Sequence, residues 1–305
     1  MAFQGERKNR QYTFGNDGRY EISIANTLAQ RKRAWRMVYQ SYLEKGYAAA
    51  NSEELWYGLF DAMPQTTTLL VSRNGEDIAT ATVVFDSELG LPADELYANE
   101  LNECRMMGRR LCEVVSLVSN ETDHRACVEV LKHLFKLALF IASKLVDATD
   151  FVITVNPHHA SYYEKKLLFR RRGDEKSYSK VGGAPAVLLL LDLVTLADRY
   201  MDACGTACDS VWHHFFEEEA AHSTVRFLAE NIDTRGRSEL MRWFGEKNPA
   251  VLERLARYVS PFDAVRLAQE QHSMTGLADE PGNNAGSETN GGCAGMQVAC
   301  NMLPA

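Results

Sequence analysis

The sequence predicts an α+β fold, with one mixed sheet flanked by helices and a helical C-terminal extension. Two observations support this. Strand-like apolar segments alternate with segments whose apolar residues recur every three or four positions. In addition, Asn74-Gly75 joins two strand-like runs, which marks an antiparallel hairpin. Later strand-like segments are separated by helices, so we expect both strand orientations in one sheet.

Composition and charge limit the functional classes. The chain has 305 residues, of which 46% are hydrophobic, and it contains no apolar run near the roughly 20 residues of a membrane-spanning helix. Its charged N-terminus does not resemble a signal peptide, so we expect a cytoplasmic protein. A formal net charge of −8 argues against a general nucleic-acid binder. Seven cysteines without a Cys-x-x-Cys pair argue against a disulfide framework or a zinc site.

Each predicted element has a local reason. Trp35, Val38 and Tyr42 lie on the apolar face of a first helix that ends near Gly46. Asp123 can cap a later helix, and the flanking apolar runs are typical of buried strands. In order, the elements are a helix at 28–46, strands at 66–73 and 77–86, a helix at 93–102, a strand at 111–119, a helix after 123, a strand at 151–156, a helix at 160–168 and a strand at 187–191.

The chain divides into four predicted regions. Residues 1–25 are polar and contain glycine, which predicts a mobile N-terminal segment. Residues 26–192 form the α+β domain, and residues 193–272 are helical in character. Residues 273–305 contain neither Lys nor Arg and show little periodicity, so we expect a disordered tail.

A strand–helix–strand unit is the most informative part of the predicted sheet. It joins the strand at 111–119, the helix after Asp123 and the strand at 151–156. If the two strands splay apart, a cleft opens into which the helix N-terminus directs unpaired N–H groups. Such a cleft could hold a phosphopantetheine arm.

Four segments in this order resemble the GNAT N-acyltransferase superfamily, and more closely its long-chain N-acyl amino acid synthases of the FeeM type. They are AWRMVYQSYLEKGY, LLVSRNGEDIATATVVFDSELGLPADELY, CRMMGRRLCEVVSLV and NPHHASYYEKKLLF. The resemblance implies transfer of a medium or long fatty acyl group from an acyl carrier protein or CoA thioester to the amine of an amino acid. It implies no cofactor other than this thioester co-substrate.

The sequence differs from the wider superfamily at two places that concern the acyl donor. Ser116 stands where relatives often carry arginine. The segment SNETDHRAC has no glycine, although a loop that cradles a pyrophosphate needs glycine for close approach. This favours a carrier-bound donor over free acetyl-CoA.

Three residues are candidates for catalysis. Glu113 lies in an otherwise apolar strand, where burial would raise its pKa and suit it as a general base. The alternative is a structural ion pair with a nearby arginine. By resemblance, Tyr163 would protonate the departing thiolate, with Tyr162 as the fallback, although a packing role is equally open. His159 could orient substrate or serve only a structural purpose.

Further residues are candidates for donor recognition. Backbone amides around Leu117, Val118 and Ser119 could polarise the thioester carbonyl, and Arg125 and Asn156 flank the same cleft. Carrier proteins are acidic, so a basic patch could dock one, although most surface cations are merely solvated. The docking candidates are Arg105, Arg109, Arg110, Lys132 and Arg171.

Other readings remain open from the sequence. His214, Glu218 and His222 share a helical face, but a second Glu-x-x-His is missing, so we expect no metal site. One alternative function is an acyl-homoserine-lactone-like signal synthase that uses the same donor. Another is a non-catalytic module that binds acyl chains or carrier protein.

Overall fold

The computed structural model describes residues 12–15, 18–63, 65–204, 224, 226–228, 231–232, 237–247 and 249. Its strands are β1 (Tyr12–Phe14), β2 (Tyr20–Ile24), β3 (Thr67–Arg73), β4 (Glu76–Phe85), β5 (Leu111–Ser119), β6 (Asp150–Val155), β7 (Arg170–Arg171), β8 (Lys176–Tyr178) and β9 (Ala184–Asp192). Its α-helices are α1 (Leu28–Glu44), α2 (Asp94–Met106), α3 (His124–Phe140), α4 (Pro157–Lys166), α5 (Leu196–Cys204) and α6 (Arg237–Lys247).

The strands form one mixed sheet, as predicted. Its order is β1-β2-β3-β4-β5-β6-β9-β7, and β8 pairs with β9. Within the described residues, β5 and β6 are the parallel pair, and the other neighbours are antiparallel. The parallel pair requires a crossover, which α3 supplies.

Local sequence signals account for the main element boundaries. Asn74 and Gly75 have φ values of 54° and 83°, the backbone that a two-residue hairpin turn requires. Thr27 and Gln30 form a capping box at the start of α1. Asp123 caps α3 by accepting a hydrogen bond from the Ala126 N–H.

Helices cover both faces of the sheet. On one face, α3 and α4 bury Leu134 and Tyr163 against the strands. On the other, α1 and α2 bury Tyr42 and Tyr97. The central strands are therefore apolar on both sides, which explains their continuous hydrophobic runs.

The segment 1–25, which we expected to be mobile, contains both β1 and β2, and these two strands pair with each other. Residues Tyr20–Ile24 form β2, which pairs with β3 along its full length. Tyr20, Ile22 and Ile24 alternate towards the core under α3. A five-residue strand with only three apolar positions has a weak periodic signal, and only the neighbouring strand reveals it. Residues 1–11 lie outside the described residues.

The described parts of the C-terminal region pack on the α+β domain. Leu196 of α5 belongs to the core on the α3 face. In α6, Trp243 and Phe244 contact Trp35 of α1, with ring centroids 5.3 and 5.8 Å apart. The apolar pattern of the helical region 193–272 predicts both as packing residues, and these contacts confirm it. The same pattern predicts packing roles for Trp212, Phe215 and Phe216, which lie outside the described residues, as does the tail at 273–305.

Candidate active site

The parallel strands β5 and β6 pair only at their beginnings. Their register runs from Leu111 opposite Asp150 to Glu113 opposite Val152 and no further. Both strands continue, β5 to Ser119 and β6 to Val155. A gap therefore opens between their C-terminal halves, where the sequence predicted a cleft.

A bulge in β5 changes which side chains face each side of this gap. Ser116 has a φ of 53°, and the pairing with β4 shifts between Thr80 and Thr82. Before the bulge, Val115 packs on the α2 face. After it, Leu117 packs on the α3 face and Val118 on the α1 face.

Glu113 lies at the point where the strands part. Its side chain is 0% exposed, and Oε2 accepts a hydrogen bond of 2.8 Å from the Ala93 N–H at the start of α2. Oε1 is also buried, and the Thr154 hydroxyl lies close enough to interact with the carboxyl. Burial raises the pKa of Glu113 well above 4.5, reinforced by Asp94 and Asp86, while the Ala93 N–H and Thr154 act in the opposite direction.

The alternative structural role for Glu113 required an arginine partner. The neighbouring arginines have other partners. Arg105 pairs with Asp86 and Asp94, Arg109 with Asp150 and Asp192, and Arg110 with Asp147. Within the described residues, no ion pair reaches the Glu113 carboxyl, so its proton affinity stays high.

Two hydroxyl groups close to Glu113 were missed by sequence reasoning. Thr154 lies in β6 and Tyr178 in β8, and both side chains are buried. The Thr154 hydroxyl interacts with the Glu113 carboxyl, and the Tyr178 hydroxyl interacts with the Glu95 carboxyl. Burial raises the pKa of the Tyr178 phenol, with further contributions from Glu95 and Glu113. Thr154 could have been noticed from the sequence, because it is a polar residue in an otherwise apolar strand. No local sequence pattern indicates that Tyr178 lies near Glu113.

The other catalytic candidates lie around the end of β6. Asn156 caps α4 by accepting from the His158 N–H at 3.0 Å. His159 follows in the first turn, with Nδ1 buried and unpartnered among the described residues. Burial lowers the pKa of His159, helped by His158 and Lys45, so its neutral form is favoured.

Tyr163 lies on the opposite face of the sheet from Glu113. It packs among Phe135 and Phe169, with ring centroids 5.8 Å from each. Glu113 instead contacts α2 through Ala93. The structure therefore does not cluster the two side chains but separates them across the sheet that contains the gap.

The donor-binding candidates differ in whether their side chains are buried or exposed. The side chains of Leu117, Val118 and Ser119 are buried, so only their backbone could serve a ligand in the gap. Arg125 is exposed in the first turn of α3.

Most of the proposed docking cations already have acidic partners. In addition to the pairs of Arg105, Arg109 and Arg110, Arg171 lies 3.5 Å from Glu164. Lys132 is half-buried on α3. These ion pairs reduce the positive field that a basic docking patch would offer.

The N-terminus of α3 is occupied by the chain's own carboxylates. Glu121 Oε1 accepts from the N–H groups of Thr122 and Asp123 at 3.0 and 3.4 Å. Its Oε2 accepts from Arg73 at 2.6 Å and from the Tyr20 hydroxyl at 3.0 Å. Burial alone would raise the pKa of Glu121, but these hydrogen bonds outweigh it and the pKa is lowered.

The described residues contain no group of three or more potential metal ligands. His214, Glu218 and His222 lie outside them. None of the described helices combines the length and hydropathy that a membrane span requires.

Comparisons with known proteins identify the family. The model of the FeeM N-acyl amino acid synthase family matches residues 33–192. The solved structure of FeeM, an N-acyl amino acid synthase from uncultured soil microbes, has 27% sequence identity and a TM-score of 0.53. That match covers 59% of this chain and 93% of FeeM.

More distant structures also align. An N-acetyltransferase from Staphylococcus aureus Mu50 has 15% identity and a TM-score of 0.40, covering 57% of this chain and 98% of its own. A search of the curated proteins finds no match. Because the family match spans more than half of the 305 residues, this chain belongs to the FeeM family of N-acyl amino acid synthases and is a GNAT-type acyltransferase.

Proposed function

We propose that the protein transfers a medium or long fatty acyl group from a carrier-protein thioester to the amine of an amino acid. The main support is the buried Glu113 carboxyl, which lies where β5 and β6 separate and has no ion-pair partner among the described residues. A carboxyl group with a raised pKa accepts a proton from an amine more readily than an ordinary carboxylate.

In the proposed reaction, the amine nitrogen forms a C–N bond to the thioester carbonyl carbon, and the C–S bond breaks. An ammonium substrate loses two protons overall. One neutralises the departing thiolate and the other is released to solvent. Glu113 takes a proton from nitrogen, while backbone amides of Leu117–Ser119 polarise the carbonyl.

The placement of Tyr163 fits this sequence of bond changes. Aminolysis of a thioester passes through a tetrahedral intermediate, in which nitrogen and sulfur are separate substituents of the same carbon, so the base and the acid can act on it from different directions. A thioester in the gap could therefore meet the amine near Glu113 on the α2 face and release its thiolate towards Tyr163 on the α3 face. We propose Tyr163 as the acid, and His159 as a neutral group that orients substrate.

Glu121 and Asp123 support a donor without a nucleotide diphosphate. Their carboxylates use the N–H groups of Thr122, Asp123 and Ala126, which would otherwise attract an anion to the start of α3. A diphosphate approaching this turn would meet two negative charges. An acyl group on a carrier-bound phosphopantetheine avoids this repulsion if its single phosphodiester stays outside the turn.

A direct assay tests the function. The full chain is incubated with a long-chain acyl carrier protein thioester and a panel of amino acids, and the products are identified by mass spectrometry. We expect an N-acyl amino acid. A lactone formed from S-adenosylmethionine would instead indicate a signal synthase, and binding without turnover would indicate a non-catalytic module.

A second assay tests the donor. The double variant Glu121→Gln/Asp123→Asn keeps hydrogen-bond acceptors at both positions but removes both charges. We expect kcat/KM for acyl-CoA, relative to the same acyl-pantetheine, to rise about tenfold. Glu129→Gln is the control, because it removes one charge farther along α3. An unchanged donor ratio in the double variant would contradict the proposed role of the two carboxylates.

A further inference from the structure

A long loop joins α1 to β3 and lies on the same face of the sheet as α2. Residues 45–66 form this α1–β3 loop, and its regular structure is limited to one 3-10 turn at Leu59–Ala62. Trp56 and Phe60 of the loop pack against the apolar cluster on the α2 face. Loops of this length are uncommon in compact domains and are often functional, and their order depends on contacts with neighbouring elements.

Trp56 lies over the gap between β5 and β6. It packs against two apolar clusters, one with Val115 of β5 and Val152 of β6, and the other with Val118 of β5. Its ring centroid lies 5.0 Å from that of Tyr42. The indole Nε1 is buried and has no hydrogen-bond partner within the described residues. Buried N–H groups are nearly always paired, so this one can donate to an oxygen of a bound substrate.

The C-terminal helix α6 packs directly on the α1–β3 loop. The ring centroids of Trp243 and Phe244 lie 4.8 and 5.7 Å from that of Tyr57. Lys247 Nζ lies 2.5 Å from Glu53 Oε1, and the Tyr57 hydroxyl donates to Glu53 Oε2 at 2.8 Å. These contacts involve loop residues on both sides of position 56.

Trp35 of α1 connects α6 to the backbone of the loop. Its ring stacks on that of Trp243, with centroids 5.3 Å apart. Its carbonyl oxygen accepts from the Trp56 N–H at 3.1 Å, and its Nε1 donates to Asp61 Oδ1 at 2.9 Å. Asp61 Oδ2 in turn accepts from the Gly58 N–H at 2.8 Å. The residue on which α6 stacks therefore holds the loop at two points.

We propose that α6 is a positioning element for the acceptor side of the active site, and that it holds Trp56 over the gap through Trp35 and Tyr57. This role rests on the proposed acyl transfer, in which the amine meets Glu113 on this face. The family model ends at residue 192, before α6 begins, so the family match does not account for this role. The aromatic residues of α6 act through the loop and are positioning residues.

The main test compares variants in the C-terminal region of the full chain. Trp243→Ala removes the ring that stacks on Trp35, whereas Trp243→Phe keeps an aromatic ring. Leu228→Ala is the control, because Leu228 is 0% exposed but belongs to the core on the α3 face. We expect Trp243→Ala to raise KM for the amino acid about tenfold, with less than about a twofold change in KM for the acyl thioester. Trp243→Phe should restore most of the loss.

A double-variant cycle tests whether Trp243 acts through Trp56. In a Trp56→Ala background, Trp243→Ala should raise KM for the amino acid less than about twofold, because the side chain that it positions is gone. Equal rises in both backgrounds would overturn the proposal. So would a lower Tm of Trp243→Ala with unchanged KM, or an equal rise in KM in Leu228→Ala, because either result would indicate a role in stability alone.

Hydrogen–deuterium exchange tests the positioning without turnover. Absence of product with every acceptor would count against the acyl transfer, whereas exchange in the loop reports on α6 alone. Lys247→Met removes the ion pair with Glu53 at the surface and keeps the test available if Trp243→Ala does not fold. We expect faster exchange at residues 51–63 in both α6 variants and wild-type exchange there in Leu228→Ala. Unchanged exchange at 51–63 in the folded α6 variants would contradict the proposal.

Discussion

Glu113 and Glu121 belong to the same strand-to-helix unit, and both are buried, yet their proton affinities are shifted in opposite directions. Glu113 has one backbone N–H donor and no cationic partner among the described residues, and its pKa is raised. Glu121 has two backbone N–H donors, a tyrosine hydroxyl and Arg73, and its pKa is lowered. Burial is common to both, so the partners decide which carboxyl remains ionised.

The largest expected effect concerns Glu113. Glu113→Gln keeps the shape of the side chain but cannot accept a proton. We expect kcat to fall at least about 100-fold, because general base catalysis contributes that much. In the wild type, kcat should increase with pH as the raised pKa of Glu113 is passed, and the variant should lose this dependence. A Glu113→Gln enzyme with normal kcat would remove the carboxyl from the mechanism.

A smaller effect is expected at Tyr163, on the other face of the sheet. Tyr163→Phe should lower kcat about tenfold with an alkyl thioester, whose thiolate needs a proton. An aryl thioester has a better leaving group, so the deficit should largely disappear with that donor. Tyr162→Phe is the matched control. An equal deficit with both donors would indicate a packing role for Tyr163.

The smallest effects concern stability and should have opposite signs. The raised pKa of Glu113 means that its contribution to stability decreases as pH rises above 4.5, the unfolded value, because folding then requires a carboxyl that stays protonated. The lowered pKa of Glu121 means that its contribution is present above 4.5 and is lost as pH falls through the folded value.

Thermal unfolding at neutral and acidic pH checks this contrast. At neutral pH, Glu121→Gln should lower Tm by about 3 °C, whereas Glu113→Gln should raise it or leave it unchanged. The effect of Glu121→Gln should shrink at acidic pH. A decrease in Tm of equal size for both variants at neutral pH would contradict the opposite roles.

Much of the fold was accessible from the sequence because its signals are local. The Asn74-Gly75 turn, the Asp123 cap and the strand at Leu111–Ser119 depend on nearby residues and appear as predicted. Sequence reasoning missed β2, because its three alternating apolar residues are too few to predict a strand without the pairing to β3. The Ser116 bulge was also missed, because its positive φ occurs at a serine and not at a glycine, the residue that usually marks such a position in a sequence.

For the candidate site, the sequence by itself determined that an acidic residue stands in an apolar strand beside a capped helix. A single charged residue such as Glu113 among apolar neighbours can be recognised from the sequence alone. Only the tertiary structure decided that Arg105, Arg109 and Arg110 bind other carboxylates, that Glu121 occupies the start of α3, and that Thr154 and Tyr178 lie near Glu113. These relations join residues far apart in the chain, and strand pairing and helix packing bring them together.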